Sequence, residues 1–327
     1  MTSARSERAV SRRTTMKVGI VGLGNVGTAT AMAIAMRSRV RELILVNRHR
    51  ARAKGVATDI RYGLALANGM SVVDGDYADL EGASAVIVTA GINEKTGGAT
   101  NRNDSSGRLR LLGPNVEVYR EIVPRIVNAA PDAVLVIATD PPEPLAEATR
   151  RMAPESRVMS TGTYLDSLRF RVHIAERLAV SAPSVDAYVV GEHGTSSVFV
   201  WSSATVGGRR VAKIVAEDGV DFTELHHVVE QAVRDANISI IEGTGASQYG
   251  IGMVNARIAD AIAGNERVVF PVGAYNTHYG TTLSLPAVIG RNGVGDIFMP
   301  DMSPEESAAL ARSAGILADA VVKYVGA

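Results

Sequence analysis

The sequence predicts an α/β protein: a doubly wound parallel sheet in its N-terminal part, followed by a second, α+β unit. Three observations predict it. Short continuous apolar runs alternate with helical patterns from Lys17 to about residue 139. A glycine-rich turn, Gly22-Leu23-Gly24-Asn25-Val26-Gly27, joins the first run to the first helix. Beyond a proline cluster at 140–145 the pattern changes to long helices and strand pairs ending in turns. Strands covered on both faces read as unbroken β-rich runs, and those belong to parallel sheets.

Taken in order, "KVGIVG" (17–22) is a strand and 26–38, rich in Ala and Met, a helix. "ELILVN" (42–47) is a strand, 50–67 a helix and "ASAVIVTA" (83–90) a strand. A long loop, 91–110, carries Gly91, Gly97, Gly98 and Gly107 with Arg102, Arg108 and Arg110. Loops of that length in compact domains are usually lids or linkers. A helix over 110–129 and the strand "DAVLVIAT" (132–139) complete the alternation. Pro141, Pro142 and Pro144 then mark a rigid bend, which sets the main boundary. The expected units are a mobile tail at 1–15, a dinucleotide-binding domain at 16–145 and a second domain at 146–327. The second holds a helix near 164–178, a strand at 185–191 and the apolar run "SSVFVWSSATVGG" (196–208). A helix over about 223–243 and two antiparallel strands, 267–276 and 281–293, follow. Ser303-Pro304-Glu305-Glu306 opens the last helix with a capping box.

Bulk chemistry excludes several functions. The 327 residues balance 34 basic against 34 acidic side chains, so the chain lacks the basic field of nucleic-acid binders. It has no cysteine, hence no disulfide, thiol nucleophile or cysteine-held metal. No apolar run is long enough to span a bilayer. The tail "MTSARSERAVSRRTT" reads as a mobile arm, with an Arg- and Ser-rich targeting tag as the alternative. A cytoplasmic protein is expected. His226 and His227 are adjacent, so on a helix they diverge by about 100° and make a poor metal pair. No metal is expected.

The turn at 22–27 has the strand–turn–helix setting of a Rossmann dinucleotide site. Gly22 permits the tight turn, Gly24 lets a pyrophosphate approach the backbone, and Gly27 lets helix pack on strand. Asn25 and Val26 open the helix whose N-terminus favours the anion. Thr89, Ala90 and Gly91 end one central strand and Thr139 the next, so they too are expected to line the cofactor cleft. The ribose reader, about 20 residues past Gly27, falls on Asn47, where an acidic residue would be usual. Asn47 beside Arg48 does not repel a 2′-phosphate. NAD is the expected cofactor, with NADP as the alternative.

Asp166 and Arg169 in "LDSLRF" are three apart and share a helix face. His193 stands between glycines in "VVGEHG", after an apolar strand. These segments, with "GIVGLGNVG", "VIVTAG", "QYGIGM" and "LPAVIGRNG", resemble the lactate/malate dehydrogenase family over nearly the whole chain. The resemblance implies a Rossmann domain followed by a substrate domain, and interconversion of L-2-hydroxy and 2-keto acids with a nicotinamide cofactor. It makes His193 the acid/base, Asp166 its orienting partner and Arg169 the clamp on the substrate carboxylate. It makes the loop after "TAG" a lid bringing an arginine to the carbonyl. Counting back from Asn115 names Arg108, with Arg102 as competitor.

The lid is about eight residues longer than is usual in the family, so its specificity position is ambiguous. From the N-terminal side it is Glu94, which would repel a dicarboxylate; from the C-terminal side it is Arg102, which would welcome one. Lactate and pyruvate are expected, with malate or bulkier 2-hydroxy acids as alternatives. Asp140 stands where the family usually has Asn, and Ser247 where it has a pocket Thr. In some bacterial relatives an Arg and a His bind fructose 1,6-bisphosphate between subunits. Arg171 matches the Arg, but Asp186 replaces the His, so no such activation is expected. The resemblance also implies a homo-oligomer, a tetramer before a dimer. Two rival readings are a non-catalytic dinucleotide sensor and an NAD-dependent glycosidase. The triad of Asp166, Arg169 and His193 disfavours the first and the absence of cysteine the second.

Overall fold

The computed structural model describes residues 16–37, 39–66, 69–101, 107–219 and 221–326. The tail expected at 1–15 and the candidate Arg102 lie outside the described residues. Six parallel strands form the centre: β1 (Lys17–Val21), β2 (Glu42–Val46), β3 (Ser71–Gly75), β4 (Ala85–Val88), β5 (Val134–Ile137) and β6 (Arg157–Ser160). Their spatial order is β3-β2-β1-β4-β5-β6. β7 (Val185–Val190), β8 (Val198–Val206) and the short β9 (Arg209–Arg210) make a separate antiparallel sheet. β10 (Val268–Asn276), β11 (Thr281–Gly290) and β12 (Gly293–Ile297) continue the central sheet antiparallel beyond β6, giving nine strands.

The helices are α1 (Asn25–Arg37), α2 (Arg50–Gly63), α3 (Leu112–Ala129), α4 (Pro142–Met152), α5 (Tyr164–Arg177), α6 (Val211–Glu217), α7 (Phe222–Thr244), α8 (Tyr249–Gly264) and α9 (Pro304–Val325). Successive strand residues supply opposite faces of the sheet. Val18, Ile20, Leu43 and Leu45 pack with α1, α2 and α8, while Val21, Ile44, Val46 and Val88 pack with α3 and α4. Burial of both faces is why these strands read as continuous apolar runs. A third cluster, built on Phe170, Phe199 and Trp201, joins α5 and α7 to the smaller sheet. The capping box of α9 forms as expected, and Glu306 also accepts from the backbone N–H groups of Trp201 and Ser202, tying the helix to β8.

Four of the elements that depart from the sequence reading have a clear physical reason. The proline cluster does not bend the chain away; it starts α4, with Pro141 just before the helix and Pro142 at its first position. Proline lacks an N–H that the first turn would leave unpaired anyway, so it suits that position. The boundary expected after residue 145 therefore falls inside α4. β6, which the sequence reading does not predict, joins the central sheet beside β5. β3 is a short edge strand with a polar end, too weakly patterned to stand out. α8 contains Gly250, Gly252 and Gly264, which argue against a helix by propensity. Gly252 is there because α1 passes so close: a Cβ would lie 2.9 Å from the Ala29 backbone. No helix among the described residues is long and apolar enough to cross a membrane.

Candidate active site

β1 pairs with β2 on one side and β4 on the other, so the strand order reverses there and a crevice opens at the strand ends. A cavity of about 350 Å³ occupies it. Gly22 adopts φ +100°, and a Cβ on it would lie 2.5 Å from the Ala90 nitrogen. A Cβ on Gly27 would lie 2.0 Å from the Gly22 carbonyl oxygen. Both glycines shape the turn from behind. A Cβ on Gly24 meets no protein atom within 4 Å; it would project into open space. That open cradle at the N-terminus of α1 fits a pyrophosphate. Gly24, Asn25 and Val26 line the cavity, as do Thr89, Gly91 and Thr139. The two threonine hydroxyls point into the framework: Thr89 donates to the Gly22 carbonyl at 2.7 Å and Thr139 to the Ala90 carbonyl at 2.9 Å.

Asn47 lies at the end of β2, outside the residues that line the cavity. Its Oδ1 accepts from the Leu23 N–H at 3.0 Å, and its amide donates to the His49 carbonyl at 3.2 Å. It thus braces the glycine-rich turn. Arg48 is exposed beside it, and Arg50 is occupied by Asp74 and Asp76.

At the other end of the cavity, α5 and the segment after β7 bring three side chains together. Thr163 and Ser167 hydrogen-bond the backbone of Val189, fixing α5 against β7. Across that joint Asp166 Oδ2 pairs with His193 Nδ1. Arg169 donates from Nη1 to Asp166 Oδ1 at 3.1 Å and reaches Ser247 Oγ at 3.5 Å. Below them the His193 N–H donates to Glu143 Oε2 at 3.2 Å, while Ser284 donates to Glu143 Oε1 at 2.7 Å.

Burial opposes a charge on His193, and so does nearby Arg108; the Asp166 carboxylate, together with Asp140, outweighs both and raises the imidazole above its ordinary value. Burial would raise Asp166, but His193, then Arg169 and Arg108, hold it well below the carboxylate range. Burial pushes Glu143 up to about 7, against the pull of His193 and Ser284. A histidine with one nitrogen fixed by a carboxylate has the other free for proton transfer.

The lid enters from above. A short 3₁₀ turn, Gly107–Leu111, carries Arg108 and runs into α3. Arg108 lines a recess adjoining the main cavity, beside Thr195 and Arg234. Its Nε lies 3.1 Å from Asp140 Oδ2, an ion pair whose angle leaves that buried N–H without a hydrogen-bond acceptor. An unserved buried donor is what a developing oxyanion needs. Asp140 Oδ1 is also 3.8 Å from His193 Nε2. Glu94, at the N-terminal end of the lid, lines the cavity.

Three residues of the site escaped the sequence reading as functional groups. Glu143 sits within the proline cluster, where nothing marks it. Asn115, noticed only as a counting mark, ties the lid to β5: it accepts from the Ile92 N–H at 2.6 Å and donates to the Asp140 carbonyl at 2.8 Å. Asn237 of α7 donates to Glu94 at 3.2 Å.

Comparison with known proteins agrees with this geometry. Residues 16–160 match the NAD-binding domain of lactate/malate dehydrogenases and residues 163–325 their α/β C-terminal domain. The chain is 41% identical over 309 residues to an L-lactate dehydrogenase of Chloroherpeton thalassium, covering 94% of this chain and 99% of that one. It is 42% identical to that of Thermus aquaticus, covering 92% and 97%. A ligand-bound crystal structure of a minor L-lactate dehydrogenase from Enterococcus mundtii superposes with a TM-score of 0.87 at 36% identity, covering 95% and 99%. With a Rossmann sheet, a glycine cradle at its switch point and an imidazole–carboxylate–guanidinium cluster facing it, the chain belongs to the lactate/malate dehydrogenase family.

Proposed function

We propose that the chain interconverts L-lactate and pyruvate with NAD, using His193 as acid/base, Asp166 to orient it, Arg169 to clamp the substrate carboxylate and Arg108 to stabilise charge on the carbonyl oxygen. The convergence of His193, Asp166 and Arg169 on the dinucleotide crevice carries the reading. The bound nicotinamide supplies the hydride acceptor in oxidation and the hydride donor in reduction. In oxidation, neutral His193 takes the hydroxyl proton at Nε2; in reduction, the imidazolium returns it. Arg169 offers two parallel donors to the carboxylate, which also orients C2. Malate remains the second reading for the substrate, since relatives of both kinds share the family models. Kinetics with pyruvate, oxaloacetate, 2-ketoisocaproate and phenylpyruvate, each with NADH and NADPH, test the proposal. Pyruvate with NADH is expected to give the highest kcat/KM; fastest turnover of oxaloacetate, or with NADPH, contradicts it.

The proton step predicts mirrored pH profiles. Reduction needs imidazolium, so its kcat/KM falls as pH rises through the raised value of His193; oxidation needs neutral imidazole and rises over the same interval. Asp166→Asn removes the charge that raises it, so both midpoints move to lower pH. Midpoints that stay in place contradict the role of Asp166.

Asp140 is expected to restrain this chemistry. It engages Arg108 and faces His193 Nε2 with an acceptor. Asp140→Asn releases Arg108 and adds an amide donor, and should raise kcat for pyruvate reduction about tenfold, below the roughly hundredfold reported when one oxyanion donor is removed. A fall in kcat would show that the carboxylate assists.

Arg171 pairs with Asp186 at 3.3 Å, so its charge is already taken. Fructose 1,6-bisphosphate should leave the substrate KM unchanged; a several-fold fall contradicts this. Self-association is also part of the proposal: Met32 and Met36 of α1 and Tyr249 and Met253 of α8 are exposed on two helices that pack together. A tetramer is favoured over a dimer.

A further inference from the structure

His193 is held at two places. Its ring pairs with Asp166, and its backbone N–H donates to Glu143 Oε2 at 3.2 Å. Glu143 is fully buried in the first turn of α4. Its other oxygen, Oε1, accepts from the Ser284 hydroxyl at 2.7 Å. Ser284, on β11, is itself a junction. Its Oγ accepts from the Thr163 N–H at 3.1 Å, just before α5, and its backbone exchanges two hydrogen bonds of 2.9 Å with Gly191. One carboxyl thus reaches the turn that carries His193 and, through one hydroxyl, the helix that carries Asp166 and Arg169. It is tightly seated as well: a Cβ on Gly273 of β10 would lie 3.2 Å from Glu143 Cγ.

The two partners of Glu143 are an amide and a hydroxyl, both neutral, and among the described residues no arginine or lysine forms an ion pair with it. Burial pushes its carboxyl up to about 7, and the strongest charge acting the other way is that of His193 itself. The N-terminus of α4 favours a negative end there too. The other charged groups that face the imidazole are Asp166 from α5, Arg108 from the lid and Asp140 from the end of β5. Both of those acids are paired with an arginine. Glu192, the neighbour of His193 in the chain, is turned to the Ser196 N–H and hydroxyl, and Glu147, further along α4, is held by Arg150 and Arg151.

We propose that Glu143 is a positioning residue for the acid/base: its carboxylate holds the His193 turn by the backbone, and its negative charge favours the imidazolium that reduction consumes. The inference rests on the dehydrogenase reading above and adds to it a second carboxylate, acting from the backbone side of His193 where Asp166 acts on the ring.

The test takes pH profiles of kcat/KM in both directions on the full chain, with the 2-oxo acid that the wild type reduces fastest and its 2-hydroxy counterpart. Glu143→Gln keeps the shape: its carbonyl oxygen can accept from the His193 N–H and its amide can donate to Ser284 Oγ, so the charge alone is lost. Both midpoints should move about one unit to lower pH, the low end of the shift that an adjacent opposite charge produces. NADH affinity, read by fluorescence titration, should stay near the wild-type value. Glu143→Asp keeps the charge and loses reach, so its midpoints should stay near wild type while kcat falls. Unmoved midpoints in Glu143→Gln overturn the proposal, and so do midpoints displaced alike in both variants, which would trace the shift to a disturbed turn. If Glu143→Gln does not fold, Ser284→Ala serves, since it removes the hydroxyl that favours the Glu143 charge; the midpoints should move the same way by less, and unmoved midpoints overturn the proposal. Each of these failures leaves the dehydrogenase reading intact. No wild-type turnover of pyruvate or oxaloacetate with NADH or NADPH overturns both.

Discussion

Replacing His193 with Asn should lower kcat for pyruvate reduction by about a thousandfold while leaving nicotinamide affinity near the wild-type value. General acid–base groups contribute roughly 10²- to 10⁴-fold, and His193 is the only imidazole among the described residues that line the cavity. Asn keeps a donor where imidazole was but cannot carry a proton across the reaction. The cofactor cradle is built by the turn after β1, remote in sequence from His193, so binding and catalysis should separate. Stopped-flow turnover beside a fluorescence titration with NADH checks this. Loss of binding together with turnover would mean that His193 supports the fold. Turnover within about tenfold of wild type would remove it from the proton step.

Arg169→Lys should weaken substrate binding by roughly 2–3 kcal/mol, about 30- to 150-fold in KM. Guanidinium matches both oxygens of a carboxylate; ammonium is a single flexible point charge. Arg169 also donates to Asp166, so some of the loss will reach the acid/base pair. Lys can still neutralise Asp166 in part, which makes the KM change larger than the kcat change. An unchanged KM excludes Arg169 as the clamp. A large fall in Tm with normal kinetics would make it structural.

Much of this architecture was legible because its signals are local. The turn at 22–27 needs glycine at 22 and 27 for steric reasons and keeps 24 open for a pyrophosphate, a pattern that shows in the letters themselves, and β1, β2, β4 and β5 announce burial on both faces. β3 and α8 were hidden because tertiary packing overrides their local preferences: β3 is held by pairing with β2, and Gly252 in α8 by the approach of α1. α4 was misread because proline, a breaker inside a helix, is favoured at its start. In the site, His193, Asp166 and Arg169 stand out in the sequence, and the structure brings their side chains together. Glu143, Asn115 and Asn237 do not stand out, since each acts through contacts to residues far along the chain. The lid defeated counting because its extra residues shift one end of the loop against the other. The structure places Glu94 at the cavity wall.

The central claim is direct hydride transfer at the crevice beside His193. Pyruvate reduced with NADH carrying deuterium at both positions of C4 of the dihydronicotinamide tests it most directly. The account predicts L-lactate with deuterium at C2, retained in ordinary water, and formed about a thousandfold more slowly with His193→Asn. Unlabelled lactate, the D enantiomer or no lactate at all would contradict it.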